Sequence, residues 1–326
     1  LINDRKPSDI LNPSAIAYEI KRNSGIKEID IERNQIKILE RMKGGSFADT
    51  LLIDVNGSKL IRKIASKRVD IDLGYLKLKK QFYQLSRFKS FYSPIIPTLI
   101  NEQENSLDYF FDMQYLEGYK LLSDCDERMQ FKASERLLDI LSNKIYLQSA
   151  KLKKNNSWLK EHLENKIFSK TKPGIYQNKL DQILEYDNIV IDGNSYLNIN
   201  QQINFLYENF YEILSPNNLC PIHGDLTFEN ILCQEEFGLD VKLIDMDGSE
   251  YLDALELDMG KMFQSIITRY EKWSKINTQL VSSKKNELTL NFEFELVNNY
   301  IQDFAKLWSN VLPEDETTFP WSGHLG

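Results

Sequence analysis

The sequence predicts an α+β fold with two lobes, a small antiparallel sheet carrying one helix and a larger, mainly helical lobe. Two observations predict it. Short apolar runs separated by turn residues crowd into residues 35–117, and apolar residues at helical spacing dominate residues 118–326. Residues 1–34 are polar, with one amphipathic helix around residues 14–22, and are interpreted as a linker or docking segment.

The smaller lobe begins with three predicted strands, at residues 36–42, 50–55 and 59–64. Asn56-Gly57 separates the second from the third and is a strong hairpin signal. Apolar residues then follow helical spacing over residues 72–88, and two more strands are expected at 98–101 and 107–115. This order predicts a five-stranded antiparallel sheet with one helix inserted after its third strand.

The larger lobe is predicted to be helical at five places and extended at two. Helices are expected at residues 128–149, 157–169, 201–214, 254–274 and 287–308, and short β-like pieces at 222–233 and 241–245. Residues 170–200 have mixed character, with turn signals at Pro173-Gly174 and Asp192-Gly193, and are interpreted as an insertion.

Composition excludes several functional classes. The net charge of −8, with lysines scattered among acids, argues against a nucleic-acid partner. No apolar run approaches the roughly 18 residues that would span a membrane, so no membrane span is expected. Three dispersed cysteines do not form a disulfide framework, and the expected location is cytoplasmic. The chain starts at Leu1, so it is interpreted as a trimmed chain or part of a longer protein.

The chemistry is predicted to lie in His223-Gly224-Asp225 through Asn230 and in Leu243-Ile244-Asp245. An aspartate and an asparagine five residues apart, on a loop that ends in a strand, can face one cavity. A second carboxylate, Asp245, then ends the next apolar strand. Phosphoryl transfer needs such a set, because a carboxylate orients the attacking hydroxyl and oxygen ligands hold Mg²⁺ on the nucleotide phosphates.

This pattern resembles the phosphotransferase family of aminoglycoside phosphotransferases and choline kinases, whose fold is similar to that of protein kinases. The resemblance implies that Asp225 is the catalytic base and that Asn230 and Asp245 bind Mg²⁺. It also implies that His223 and Asp258 support the loop. Asp247 is interpreted either as a contact to a second magnesium ion or as a solvated acid.

The same resemblance assigns nucleotide-binding roles to the smaller lobe. Gly44-Gly45-Ser46 lies between two strands and can cradle phosphates through its backbone N–H groups. Neighbouring strand residues point to opposite faces, so only one of Lys63 and Arg62 can enter the cleft. Lys63 is preferred as the phosphate-binding cation because it lies nearer the inserted helix in the expected pattern. The family normally pairs that lysine with a glutamate, and Gln81 stands near its position.

The predicted strand at residues 107–115 resembles the one that leads to the nucleotide base in this family. The resemblance implies that backbone groups near Gln114 and Leu116 meet the base. ATP and GTP both remain open as the donor.

The expected activity is transfer of a γ-phosphate to a small-molecule hydroxyl, with a sugar or polyol preferred. Twelve residues, 246–257, separate Asp245 from Asp258, too few for the long activation segment of a protein kinase. The combination of residues 111–119, the Asp192-Gly193 segment and residues 258–265 also looks similar to phosphotransferases of bacterial surface-polysaccharide and nucleotide-sugar pathways. An aminoglycoside or choline-like amino alcohol is the second choice, and a pseudokinase or nucleotide-sensing module is the non-enzymatic alternative.

Overall fold

The computed structural model describes residues 36–42, 48–68, 71–148, 150–151, 164, 186–191, 193–213, 218–236, 238–247, 254–273, 279–284, 287–291 and 300–309. The predicted helices at 14–22 and 157–169 lie outside these residues, apart from residue 164. The chain divides into two compact units, each taken by itself below. The first comprises Leu1–Lys120 and Leu232–Ser249, and the second comprises Leu121–Ile231 and Glu250–Gly326. The division into residues 1–34, 35–117 and 118–326 stays a prediction.

The described strands are β1 (Ile36–Met42), β2 (Asp49–Val55), β3 (Ser58–Ser66), β4 (Leu99–Glu104), β5 (Asp108–Gln114), β6 (Lys120–Leu121), β7 (Ala150–Lys151), β8 (Asn188–Ile191), β9 (Asn194–Leu197), β10 (Asn218–Leu219), β11 (Ile231–Gln234), β12 (Asp240–Leu243), β13 (Gln279–Lys284) and β14 (Glu287–Asn291). The described α-helices are α1 (Lys77–Phe91), α2 (Glu127–Ile140), α3 (Ile199–Ile213), α4 (Leu255–Thr268), α5 (Tyr270–Trp273) and α6 (Ile301–Ser309).

The first unit contains a five-stranded antiparallel sheet in the order β1-β2-β3-β5-β4. Each strand lies within three residues of its predicted bounds. Asn56 and Gly57 both have positive φ, 53° and 84°, as the tight turn of a two-residue hairpin requires. The five predicted strands and their antiparallel arrangement are therefore confirmed.

One face of this sheet is buried by the inserted helix. Ile61, Lys63 and Ala65 alternate with less buried residues along β3, as the period of two dictates. A π-helical turn, Ile71–Leu76, leads into α1. Phe82 of α1 packs on Phe111 of β5, with ring centroids 5.4 Å apart. The helix therefore covers the face that carries Lys63.

Strand β12 carries the chain toward Asp245. Val241 and Leu243 of β12 are buried. Strand β12 belongs to a three-stranded sheet in the order β12-β11-β6. The predicted strand at 222–233 was partly wrong, because pairing begins only at Ile231. Residues 222–227 have no strand partner, and the N–H groups of His223 and Gly224 bond to a side chain instead.

The second unit has a helical core. The aromatic rings of Phe131 and Phe304 meet edge to face at a centroid distance of 5.3 Å, and Phe228 lies 6.2 Å from Phe304. The fully buried Met262 and Ile266 lie on the inner face of α4. The predicted helices at 128–149, 201–214 and 254–274 are confirmed in position. The last of them breaks at Arg269, whose φ of 46° ends α4.

The predicted helix at 287–308 was wrong in its first part. Glu287–Asn291 is strand β14, antiparallel to β13 and parallel to β8, and helix α6 begins only at Ile301. The stretch Glu-Leu-Thr-Leu-Asn alternates apolar and polar residues, which is the pattern of a strand and not of a helix. Leu288 of β14 is buried, as this register requires.

Residues 186–197, at the end of the predicted insertion, form a hairpin. Strands β8 and β9 pair on either side of Gly193, whose φ is 81°, and join the four-stranded sheet β13-β14-β8-β9. In the described part of the chain, no helix combines the length and the apolar character that a membrane span needs.

Candidate functional site

Lys63 is a buried lysine in the middle of the first unit's sheet. It is paired with Thr50 on one side and Phe111 on the other, and only 6% of the residue is exposed. Burying an ammonium group costs free energy unless it finds anionic or hydrogen-bonding partners. Lys63 Nζ donates to Gln81 Oε1 at 3.3 Å and forms an ion pair with the carboxylate of Asp245.

Arg62 points to the opposite face of the same strand. Its guanidinium binds Asp112 through two parallel hydrogen bonds, Nε to Oδ1 at 2.7 Å and Nη2 to Oδ2 at 2.8 Å. Its Cζ atom also lies 4.0 Å from the ring centroid of Phe110. Such a bidentate, stacked guanidinium is fully engaged within the protein. Of the two cations that the sequence offered, only Lys63 contacts Asp245.

Asp245 follows β12 and has an unusual backbone. Its φ is 58°, in the left-handed region that non-glycine residues rarely adopt. Such backbone strain costs about 1 kcal/mol or more and tends to occur at functional sites. The side chain of Asp245 is 40% exposed, whereas that of its partner Lys63 is 8% exposed. The lysine is therefore fixed in the protein, and the carboxylate also faces solvent.

Gln81 connects these two residues through both ends of its amide. Oε1 accepts from Lys63 Nζ, and Nε2 donates to the carbonyl oxygen of Met246 at 3.4 Å. A glutamate at this position accepts from the lysine but has no N–H to offer the Met246 carbonyl. Glutamine at position 81 therefore adds a hydrogen bond to the backbone that follows Asp245.

Gln114 and Leu116 lie at and just after the end of β5. The N–H of Gln114 donates to the carbonyl of Thr98 at 2.9 Å, so this donor is already used. The carbonyl of Leu116 accepts from the N–H of Tyr119 at 3.4 Å. Within the described residues, the N–H of Leu116 makes no hydrogen bond. It is therefore the backbone donor of this pair that remains open to a ligand.

The segment after Leu116 is held in place by side chains. Tyr119 donates its hydroxyl proton to Asp240 Oδ2 at 2.5 Å, and Lys242 forms an ion pair with the same carboxylate. Burial and the bond to Asp240 raise the pKa of Tyr119 to about 12. Gly44, Gly45 and Ser46, the predicted phosphate loop, lie outside the described residues.

In the second unit, the buried Asp258 of α4 organises the backbone of the predicted catalytic loop. Its Oδ2 accepts from the N–H of His223 at 2.9 Å and from the hydroxyl of Tyr146 at 3.0 Å, and its Oδ1 accepts from the N–H of Gly224 at 2.8 Å. Complete burial raises the pKa of Asp258, and the electrostatic interaction with His223 and the N–H groups of His223 and Gly224 oppose this rise. Gly224 has a φ of 81°, which favours glycine here.

The imidazole of His223 is also buried and acts within the loop. Its Nδ1 accepts from the N–H of Asp225 at 3.2 Å. His223 therefore contacts the loop through its ring while its own N–H is held by Asp258. Through these hydrogen bonds, His223 and Asp258 both stabilise the backbone of the loop.

Asp225 and Asn230 contact each other directly. Asn230 Nδ2 donates to Asp225 Oδ2 at 3.1 Å, to the Asp225 carbonyl at 2.8 Å and to Thr227 Oγ1 at 3.1 Å. The amide nitrogen of Asn230 therefore links the end of the loop to its middle and to Asp225. Among the described residues no hydrogen bond reaches Asn230 Oδ1, so this oxygen is available as a ligand.

Three residues of this region were missed from the sequence. Lys261 forms an ion pair with Asp225, Tyr146 bonds to Asp258, and Ser265 Oγ accepts from the N–H of Phe228 at 3.0 Å. Lys261 follows Asp258 by one helical turn, which is a usable signal. The chain distance of 112 residues between Tyr146 and Asp258 leaves no local pattern to detect.

The comparisons with known proteins identify no family. No family model matches the chain, and no curated protein matches it. Among solved structures, the chain is similar to "Crystal structure of Rad53 1-466 in complex with AMP-PNP" at 15% identity and a TM-score of 0.33. This similarity covers 68% of the present chain and 40% of the other. The roles assigned below therefore depend on the contacts of this chain.

Proposed function

We propose that the chain is a Mg²⁺-dependent phosphotransferase with a protein-kinase-like fold. It moves the γ-phosphate of ATP or GTP to a hydroxyl group of a small molecule, preferably a sugar or polyol. In this proposal residues 35–117 bind the nucleotide, and residues 118–326 carry the catalytic loop and the acceptor site.

The contact between Lys63 and Asp245 carries the proposal. These residues are 182 positions apart, and they were predicted separately as the phosphate-binding cation and the metal-binding carboxylate. Both functions act on the same phosphate chain of one nucleotide, so the two side chains must lie close together. Their ion pair inside one unit, with Lys63 buried, supports that assignment.

The remaining nucleotide contacts are assigned to backbone groups. The N–H groups of Gly44, Gly45 and Ser46 bind phosphate oxygens, as successive N–H groups in a glycine loop can. The open N–H of Leu116 and a backbone group of Gln114 bind the base. This role is supported because the N–H of Leu116 makes no hydrogen bond within the described residues.

Each of the two proposed Mg²⁺ ligands, taken by itself, has an oxygen of the kind that magnesium binds. Asn230 Oδ1 and Asp245 Oδ2 accept no hydrogen bond within the described residues. No three histidine, cysteine or acidic side chains of the described residues group into a metal site. Magnesium in nucleotide sites usually takes one or two protein oxygens and completes its shell with phosphates and water. Asn230 and Asp245 would hold the ion, which when bound neutralises charge on the phosphates.

Asp225 acts on the acceptor. Its carboxylate accepts the hydroxyl proton as the hydroxyl oxygen forms a bond to Pγ. The bond between Pγ and the β,γ-bridging oxygen breaks, and ADP or GDP leaves with that electron pair. The proton then passes from Asp225 to solvent. His223 and Asp258 take no part in this transfer and hold the loop in shape.

A screen of acceptors tests the function. Purified protein is incubated with Mg²⁺ and ATP or GTP, and nucleotide consumption is measured with sugars, polyols, amino alcohols and aminoglycosides in turn. The proposal predicts consumption that depends on a sugar or polyol. Consumption with amino alcohols or aminoglycosides alone would keep the phosphotransferase and replace its acceptor class. Nucleotide binding without consumption across the panel would favour a nucleotide-sensing module.

The metal assignment has its own test. Asp245→Asn is expected to abolish the Mg²⁺ dependence of nucleotide binding, measured by calorimetry with and without the ion. Asp54→Asn is a matched control, since Asp54 lies in a hairpin of the same unit, where its side chain accepts from the N–H of Gly57 at 2.8 Å. Wild-type magnesium dependence in Asp245→Asn would contradict the role of Asp245.

A further inference from the structure

Lys261, which is not among the residues predicted from the sequence, contacts the proposed catalytic base. Its Nζ atom lies 2.9 Å from Asp225 Oδ1. The side chains of Lys261 and Asp225 are 40% and 36% exposed. A lysine and a carboxylate this exposed add little to folding stability when they pair. The contact therefore needs an explanation other than stability.

Helix α4 holds the catalytic loop at two points. Asp258 accepts from the N–H groups of His223 and Gly224, and Lys261 lies three residues later on the same side of the helix. Asp258 fixes the backbone at the start of the loop. Lys261 reaches the one side chain of the loop to which the proposed mechanism assigns proton transfer.

The two oxygens of Asp225 are held from different elements. Lys261 of α4 binds Oδ1, and the amide of Asn230, within the loop itself, binds Oδ2 at 3.1 Å. Two donors on different oxygens fix the rotation of the carboxylate about its Cβ–Cγ bond. Each oxygen keeps a further lone pair, because a carboxylate offers about four acceptor positions in all. The carboxylate is thus oriented and can still accept a proton.

We propose that Lys261 is a positioning residue for Asp225. Resting on the phosphotransferase function proposed above, this role is to hold the carboxylate in the orientation in which it accepts the proton of the acceptor hydroxyl. Lys261 acts on the transfer through Asp225 and not through the nucleotide. Its loss therefore slows turnover and leaves nucleotide binding intact.

Steady-state kinetics of three variants test the role, using the acceptor that gives the highest turnover in the screen. Lys261→Met is expected to lower kcat about 10- to 100-fold and to change the KM for ATP by less than about twofold. Lys261→Arg keeps a cationic donor and is expected to restore kcat to within about threefold of wild type. Lys306→Met, an exposed lysine of α6, is the control with wild-type kinetics.

The outcomes separate this role from the function on which it depends. A wild-type protein that consumes no nucleotide with any acceptor overturns both proposals. An active wild type together with an unchanged kcat in Lys261→Met overturns the positioning role alone. A raised KM for ATP with unchanged kcat also overturns it, because Lys261 would then bind the nucleotide. A kcat loss that Lys261→Arg does not restore contradicts a role that depends on the cationic donor.

Discussion

The proposed catalytic loop of the second unit and the Lys63 cluster of the first unit, which is Lys63 with Gln81 and Asp245, are held by different means. In the loop, a buried carboxylate accepts two backbone N–H groups, so the chain path itself is fixed. Around Lys63, side chains hold one another through an ion pair and an amide, and Asp245 keeps much of its surface exposed. In the proposed function, the first arrangement suits a base whose orientation must be kept. The second suits the proposed roles of Lys63 and Asp245, which would exchange partners when phosphates bind.

Removing Asp258 is the strongest test of this comparison. Asp258→Ala leaves the N–H groups of His223 and Gly224 and the hydroxyl of Tyr146 without their acceptor in a buried place. We expect a loss of about 3 kcal/mol in the free energy of unfolding, measured by urea denaturation. Asp303→Ala, an exposed aspartate on α6, is the control. An equal loss in both variants would mean that Asp258 does not hold the loop.

Removing Lys63 tests the other side of the comparison. Lys63→Met takes away the cation that contacts Asp245, and we expect kcat/KM for ATP to fall about 100-fold, as when one charge-stabilising donor is lost. Lys59→Met is the control, since Lys59 lies on the same strand and pairs with the exposed Glu117 and the ring of Tyr115, away from Asp245. Similar kinetics in the two variants would remove Lys63 from the nucleotide site.

Gln81 gives a smaller and more specific effect. Gln81→Glu keeps an acceptor for Lys63 but places a carboxylate oxygen against the Met246 carbonyl, where Nε2 now donates. The loss of one hydrogen bond predicts a fall of about threefold in kcat/KM for ATP. A higher kcat/KM in Gln81→Glu than in wild type would contradict this expectation. It would show that a negative charge beside Lys63 favours activity more than the hydrogen bond to Met246 does.

Glu104 is the centre of a second ion-pair cluster in the first unit, away from the proposed site. Its replacement is expected to give the smallest of these effects, a pH-dependent change in stability. Lys67, Lys79 and Tyr75 donate to its carboxylate, all at 2.7 Å, and lower its pKa to about 2. Because the folded pKa lies below the ordinary value of 4.5, the stabilisation is present above about pH 4.5 and is lost as pH falls toward 2. The stability difference between wild type and Glu104→Gln is expected to shrink over that window. A difference independent of pH would contradict the pairing.

The sequence predicted the sheet well because its signals are local. Period-two alternation and the Asn56-Gly57 turn locate strands directly, and the structure agrees to within a few residues. The helix predicted at 287–308 was wrong at its start because short apolar runs fit both periods. The pairing of β14 with the adjacent β13 and with β8, far away in the chain, decides for a strand.

The site was predictable only in part, for the same reason. Asp225 and Asn230 lie five residues apart, so a local motif identifies them. The ion pair of Lys63 with Asp245 joins residues 182 positions apart, and only a resemblance suggested that they share a function. Lys261 reaches Asp225 from α4, where its spacing of one helical turn from Asp258 is a usable signal. Tyr146 bonds to Asp258 from 112 residues away, and a contact of this kind depends on packing that no local pattern reveals.

The most direct test of the central claim is transfer of labelled phosphate. Wild type and Asp225→Asn are incubated with Mg²⁺, ATP labelled at the γ-phosphate and the best acceptor of the screen. The account predicts labelled acceptor from wild type and a rate lower by about 100-fold or more in Asp225→Asn, while ATP binding is retained. Equal rates of labelling in the two proteins would contradict it.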